Sequence, residues 1–178
     1  ELEDAKIMVA EETDEVTPGV GSSYVLIYLN DNKNYLSNYI QSLDTDDLDI
    51  YENNQAARDK LVDVIRYANP DLIITHDPDD YMPDHTAVSR LVFDASFTAT
   101  LPNYKSKYKD PAKLVPIYYM DTLCGVGFNP TEYVDASEHI DKKLEMLNCH
   151  ESQIVWMRDH DNIDFAEFVR TCSRFRGI

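Results

Sequence analysis

Residues 69–98 read NPDLIITHDPDDYMPDHTAVSRLVFDASFT, and three structural signals follow one another in them. Asn69-Pro70 stops whatever precedes it, because the residue before a proline avoids the helical region. Asp71 to Thr75 (DLIIT) is a continuous apolar run, the pattern of a strand in a parallel sheet covered on both faces. A polar stretch from His76 to His85 comes next, and then Ala87, Val88, Leu91, Val92 and Ala95 form a helical stripe.

The same alternation extends outward. Upstream, Gln55 to Ala68 carries Ala57, Leu61, Val64, Ile65 and Ala68 on one helical face. Before that, Ser23 to Leu29 (SYVLIYL) reads as a buried strand, residues 1–22 as an acidic irregular segment, and residues 30–54 have no clear period. Downstream, Val115 to Met120 (VPIYYM) is a further strand, opened by a proline that suits a strand's start or edge. Asp135 with Glu138 reads as a capping box for a helix carrying Ile140, Leu144 and Leu147. A last helix begins near Asp164 and is lined by Phe165, Phe168, Val169 and Cys172. Strands alternating with helices predict an α/β fold, Rossmann-like, with a mostly parallel sheet and helices on both faces. No linker divides the chain, so residues 1–178 are expected to form a single domain.

Bulk properties narrow the function classes. The formal charge is -17, from 33 acids against 16 bases. Such a field repels phosphate backbones, so nucleic acid and anionic membrane are not expected partners. No apolar run approaches the roughly 18 residues of a membrane span, and no signal peptide is visible. Cys124, Cys149 and Cys172 are odd in number and form no CxxC pair, which argues against a thiolate zinc site. They are expected to be small buried hydrophobes in a reducing cytoplasm. No glycine-rich fingerprint follows a strand, which counts against a nucleotide-binding domain.

The chemistry is expected in the loop after DLIIT, since ligands of open α/β sheets bind beyond the carboxyl ends of the strands. Most of residues 76–85 are acids or histidines that could bind a metal or move a proton. Pro78 and Pro83 stiffen the loop, and His85 stands at a helix start, where its ring can turn back toward the strand ends.

The stretch THDPDDYMPDHTAVSRLVFDA resembles the second motif of LmbE-like (PIG-L) N-deacetylases, whose form is close to T-H-D-P-x-D-Y-H-P-D-H-R-A-V. PIYYMDT, PTEYVDAS, KLEMLNCHESQ and FVRTCSRFRG are also similar to the family, in order. The similarity runs from about Ala56 to Gly177, about two-thirds of the chain. It implies zinc-dependent hydrolysis of the acetamide of an N-acetylglucosamine-type sugar, giving acetate and an amino sugar. On this resemblance His85 matches a metal ligand, and Asp84 and Tyr81 lie near the reacting group. By position, His76 and Asp77 in the loop and Asp121 at a strand's end on the same side are expected to orient groups or contact substrate. The remaining ligands, a His and an Asp, come from an early A-H-P-D-D-E motif, which is expected to precede Glu1, and the family's chain is expected to continue past Ile178. The family form has a histidine where this chain has Met82, a side chain with neither a titratable proton nor a strong donor. The alternative reading is therefore a catalytically impaired relative that binds sugar or acts as a scaffold. The partner is a small amino-sugar substrate; a homo-oligomer is left open.

Overall fold

The computed structural model describes residues 5–10, 25–30 and 51–177. Its sheet runs in the order β1 (Ala5–Ala10), β2 (Val25–Asn30), β3 (Leu72–Thr75), β4 (Ile117–Tyr119). β1 and β2 pair antiparallel, as do β2 and β3, whereas β3 and β4 pair parallel, with Ile73 opposite Ile117 and Thr75 opposite Tyr119. The α/β class read from the sequence holds, and DLIIT and PIYYM form a parallel pair; the other two described pairings are antiparallel, where a mostly parallel sheet was expected. β1 falls within residues 1–22, where an irregular segment was expected. The unpatterned stretch is outside the described residues from 31 to 50.

Two helices flank β3 in sequence. α1 (Gln55–Ala68) is opened by Asn54, whose side chain accepts the Ala57 N–H, and ends at Asn69 in the left-handed region (φ 42°). The stop was expected at this position, but Asn69 adopts the left-handed conformation that asparagine tolerates instead of extended backbone. α2 (Pro83–Thr98) carries proline in its first turn, where a missing N–H costs nothing.

The expected stripes are the observed ones. Leu61, Val62 and Ile65 of α1 form one core with Val88, Leu91, Val92 and Ala95 of α2 and with Ile73 of β3. Each Leu, Val and Ile side chain among them contributes about 1.5–3 kcal/mol by leaving water. Arg66 is also buried, although it lies off the apolar stripe. Its guanidinium donates to the carbonyls of Ala99, Leu101, Tyr104 and Tyr108.

The chain divides into two compact units, the first formed by residues 1–13 and 22–122, the second by residues 14–21 and 123–178. The second unit contains a 3-10 turn (Ser137–His139), α3 (Ile140–Asn148), α4 (Glu151–Asp161) and α5 (Phe165–Arg176). Asp164 caps α5 through the Glu167 N–H, as expected. Asp135 does not cap α3; its carboxylate accepts from the N–H and hydroxyl of Ser137, and α3 starts at Ile140. Cys124 and Cys149 are exposed and Cys172 is half-buried, against the expectation of buried thiols.

Candidate metal centre

The loop between β3 and α2 is folded by its own acids. Asp77 accepts the Asp79 N–H at its carboxylate (2.7 Å) and the Asp80 N–H at its carbonyl (3.2 Å). Asp80 in turn accepts the Met82 N–H at Oδ1 (2.9 Å). Aspartates make such short-range turns because their side chains reach the backbone two residues ahead. The consequence is positional: the chain folds back on itself just before Pro83, and the first turn of α2 carries His85 to the same place as Asp80.

There, His85 Nδ1 stands 2.9 Å from Asp80 Oδ2. The His76 ring, directly after β3, stacks on the His85 ring with centroids 3.9 Å apart and planes 17° from parallel. His76, Asp80 and Asp84 are buried, and His85 is half-buried. Burial, followed by the His85 ring beside it, lowers the His76 pKa from 6.5 to about 4, against the opposing pull of Asp80 and Asp84. His76 is therefore a neutral ring at neutral pH. One ligand atom from each of His76, Asp80 and His85 lies within 4.8 Å of the others, a grouping that could hold a metal ion. The donor set, imidazole nitrogen with a hard carboxylate, suits a divalent ion of the zinc type.

The expected site residues fall into two sets. His85, His76 and Asp84 come together around the end of β3, with Asp84 near enough to act on the His76 charge. Asp77 shapes the turn and also raises the pKa of Tyr119 on β4, after the larger effect of burial. Tyr81 is exposed at the loop's outer side, and Asp121 is exposed just past β4. The residue that sequence reasoning did not single out is Asp80. The available signal was its identity with the second aspartate of the family form T-H-D-P-x-D, at position 80.

A histidine directly after β3, a buried carboxylate in the loop and a second histidine in the first turn of α2 define an α/β protein with a candidate metal centre at the carboxyl end of β3. The family model described as PIG-L, GlcNAc-PI de-N-acetylase, matches residues 11–96, and the resemblance to the LmbE-like (PIG-L) family is thereby shown. Among solved structures, the chain is similar to the conserved protein TT1542 from Thermus thermophilus. The identity is 25% and the TM-score 0.55, over 67% of this chain and 51% of that one. It is also similar in fold to GalB, the 4-carboxy-2-hydroxymuconate hydratase from Pseudomonas putida. There the identity is 22% and the TM-score 0.55, over 67% of this chain and 47% of that one. The chain thus spans about half the length of these structures.

Proposed function

We propose that the protein is a zinc-dependent hydrolase that removes the acetyl group from an N-acetylglucosamine-type sugar or glycoconjugate. The observation that carries the reading is His85, the residue matched to the family's metal ligand, held by Asp80 and packed on His76 beyond the end of β3. The name of the matching family model supports the substrate class. A further expectation goes with it: the two units are parts of one domain of that family. No described helix is long and apolar enough to cross a membrane.

Zinc, when bound, supplies a Lewis acid that polarises the acetyl carbonyl and eases the ionisation of water. The chain's own residues do the rest. His85 holds the ion through a ring nitrogen. Asp84, buried beside the histidines, sets the local field and steers a proton during cleavage. Tyr81, exposed on the loop, contacts the sugar, and Asp77 and Asp121 orient groups around it. His76 excludes water from one face of His85. The remaining ligands are those the resemblance assigns to the early motif.

A second reading has its own observation. Met82 occupies the position of the family's histidine, so the site lacks one proton-bearing ring and would bind sugar without turning it over efficiently. The test is metal content and acetate release by the full-length protein on N-acetylglucosamine substrates, with and without His85→Ala. The expected result is zinc-dependent acetate release, with both zinc and activity lost in the variant. Zinc binding without acetate release selects the second reading, and full activity in His85→Ala removes both.

A further inference from the structure

We propose that Asp80 is the positioning residue of this centre: its buried carboxylate selects the His85 tautomer whose Nε2 lone pair is open to a metal ion. The consequence for zinc rests on the metal-dependent reading above; the tautomer itself rests on hydrogen-bond chemistry alone. A carboxylate has no proton to give, so at each oxygen it can only accept. Oδ1 accepts the Met82 N–H, and Oδ2 faces His85 Nδ1 at 2.9 Å. Nδ1 must therefore be the donor, and in a neutral imidazole the other nitrogen, Nε2, then carries the lone pair. Metal-ligating histidines characteristically spend their second nitrogen in this way, on a carboxylate that fixes ring and tautomer together.

The alternative division of labour, with all three side chains as ligands, conflicts with the arrangement. A zinc–nitrogen bond of about 2.0–2.1 Å lies in the plane of its ring. The two rings are stacked 3.9 Å apart and nearly parallel, so their in-plane lone pairs do not converge on one ion. The Asp80 oxygen nearest His85 is already engaged with Nδ1. One ring ligates, one ring braces it, and the carboxylate orients. Asp80 is suited to the last role because it cannot swing: its side chain is 2% exposed, its N–H donates to the Asp77 carbonyl and its Oδ1 is held by Met82.

Asp80→Asn tests the inference, because it substitutes one acceptor and one donor for two acceptors. With the amide oxygen kept by the Met82 N–H, the amide NH2 turns to His85 Nδ1, which must then accept, and the ring proton moves to Nε2. The measurement is long-range proton–nitrogen NMR of the chelator-treated full-length protein at alkaline pH, with the His85 signals identified as those lost in His85→Gln. The expected result is an Nδ1–H ring in the wild type and an Nε2–H ring in Asp80→Asn. Zinc affinity, measured with zinc alone, should fall about 10- to 100-fold in Asp80→Asn. Asp80→Glu, which restores the carboxylate, should return the Nδ1–H tautomer. A wild-type Nε2–H ring overturns the proposal, and does so even if Asp80→Asn fails to fold. Unchanged tautomer and zinc affinity in a folded Asp80→Asn overturn it equally. The two readings separate cleanly: the expected tautomer and zinc loss without any acetate release would leave this inference standing and remove the deacetylase, and acetate release with an unmoved tautomer would do the reverse.

Discussion

Met82 stands between Asp80 and Asp84, and its backbone serves the loop better than its side chain does. The N–H closes the Asp80 turn and the carbonyl accepts the Thr86 N–H, while the side chain makes no cap for α2. The local fold therefore survives any side chain here that tolerates φ -90° and ψ 122°. Met82→His should leave zinc affinity nearly unchanged, because His85 is the ligand and Asp80, which orients it, is held by the backbone N–H of residue 82 and not by its side chain. It should raise deacetylation of an N-acetylglucosamine substrate by up to about 100- to 1000-fold, the typical worth of one oxyanion donor. Turnover and metal content of both full-length forms check this, and equal turnover would show that position 82 is not catalytic. Tyr119 offers a test of burial at the same scale. Burial, then the Asp77 charge, raises its pKa above the usual 10. The sign follows: the unfolded chain ionises first, so Tyr119 contributes stability below that range that is lost as pH rises through it. Tyr119→Phe should therefore soften the fall in melting temperature as pH rises above about 10.

Among the elements, α1 was legible over residues 55–68, because stripe and stop agree there; the Asn54 cap is seen only in the structure. Its stop gives a prediction. Asn69 is left-handed, and its side chain also accepts the Lys113 N–H (3.3 Å). Asn69→Ala should cost about 1–2 kcal/mol in urea unfolding, from the loss of the short polar side chain that lets asparagine tolerate that conformation and of the acceptor for Lys113. Asn69→Gly should cost less than Asn69→Ala, since it keeps the conformation free of strain; the reverse order would show that the side-chain acceptor matters more than the backbone. α4 was missed for a physical reason: Ile154, Val155, Trp156 and Met157 form a continuous run with no helical stripe, so the period that marks the other helices is absent. β1 was missed because a short apolar run beside a dense acidic stretch carries no alternation to distinguish strand from loop. In the site, His85 was legible from the family motif and the strand's carboxyl end. Its pairing with Asp80 was not, because five residues of separation match neither helical nor strand spacing; the contact exists only once the aspartate turns have reversed the chain.

At the scale of the whole molecule, a chain of formal charge -17 buries an arginine where, among the described residues, no carboxylate pairs with it. Arg66 donates instead to four backbone carbonyls, those of Ala99 and Leu101 at the end of α2 and those of Tyr104 and Tyr108 in the connection that follows. The end of a helix is its negative pole, so a cation is favoured beside it, and its donors add to the N–H groups of Ala112 and Tyr104 already on the Ala99 and Leu101 carbonyls. The contact joins α1 to the connection leading from α2 toward β4, and thereby braces the two helices that flank the candidate metal centre in sequence. Sequence reading places arginine at the surface by default, and residue 66 falls outside the stripe of Leu61, Val64, Ile65 and Ala68. Arg66→Met should destabilise the first unit by about 1–3 kcal/mol, because the half-buried carbonyls of Tyr104 and Tyr108 lose their donor, while those of Ala99 and Leu101 keep the N–H groups of Ala112 and Tyr104. Arg66→Lys should recover only part of this, since an ammonium has three donors and no planar fork to span four carbonyls. Lys60→Met, at an exposed position on the same helix, should stay within about 0.5 kcal/mol. Urea midpoints for the three variants decide the matter: an Arg66→Met midpoint no lower than that of Lys60→Met would mean that packing alone, without the buried cation, holds the connection after α2 against α1.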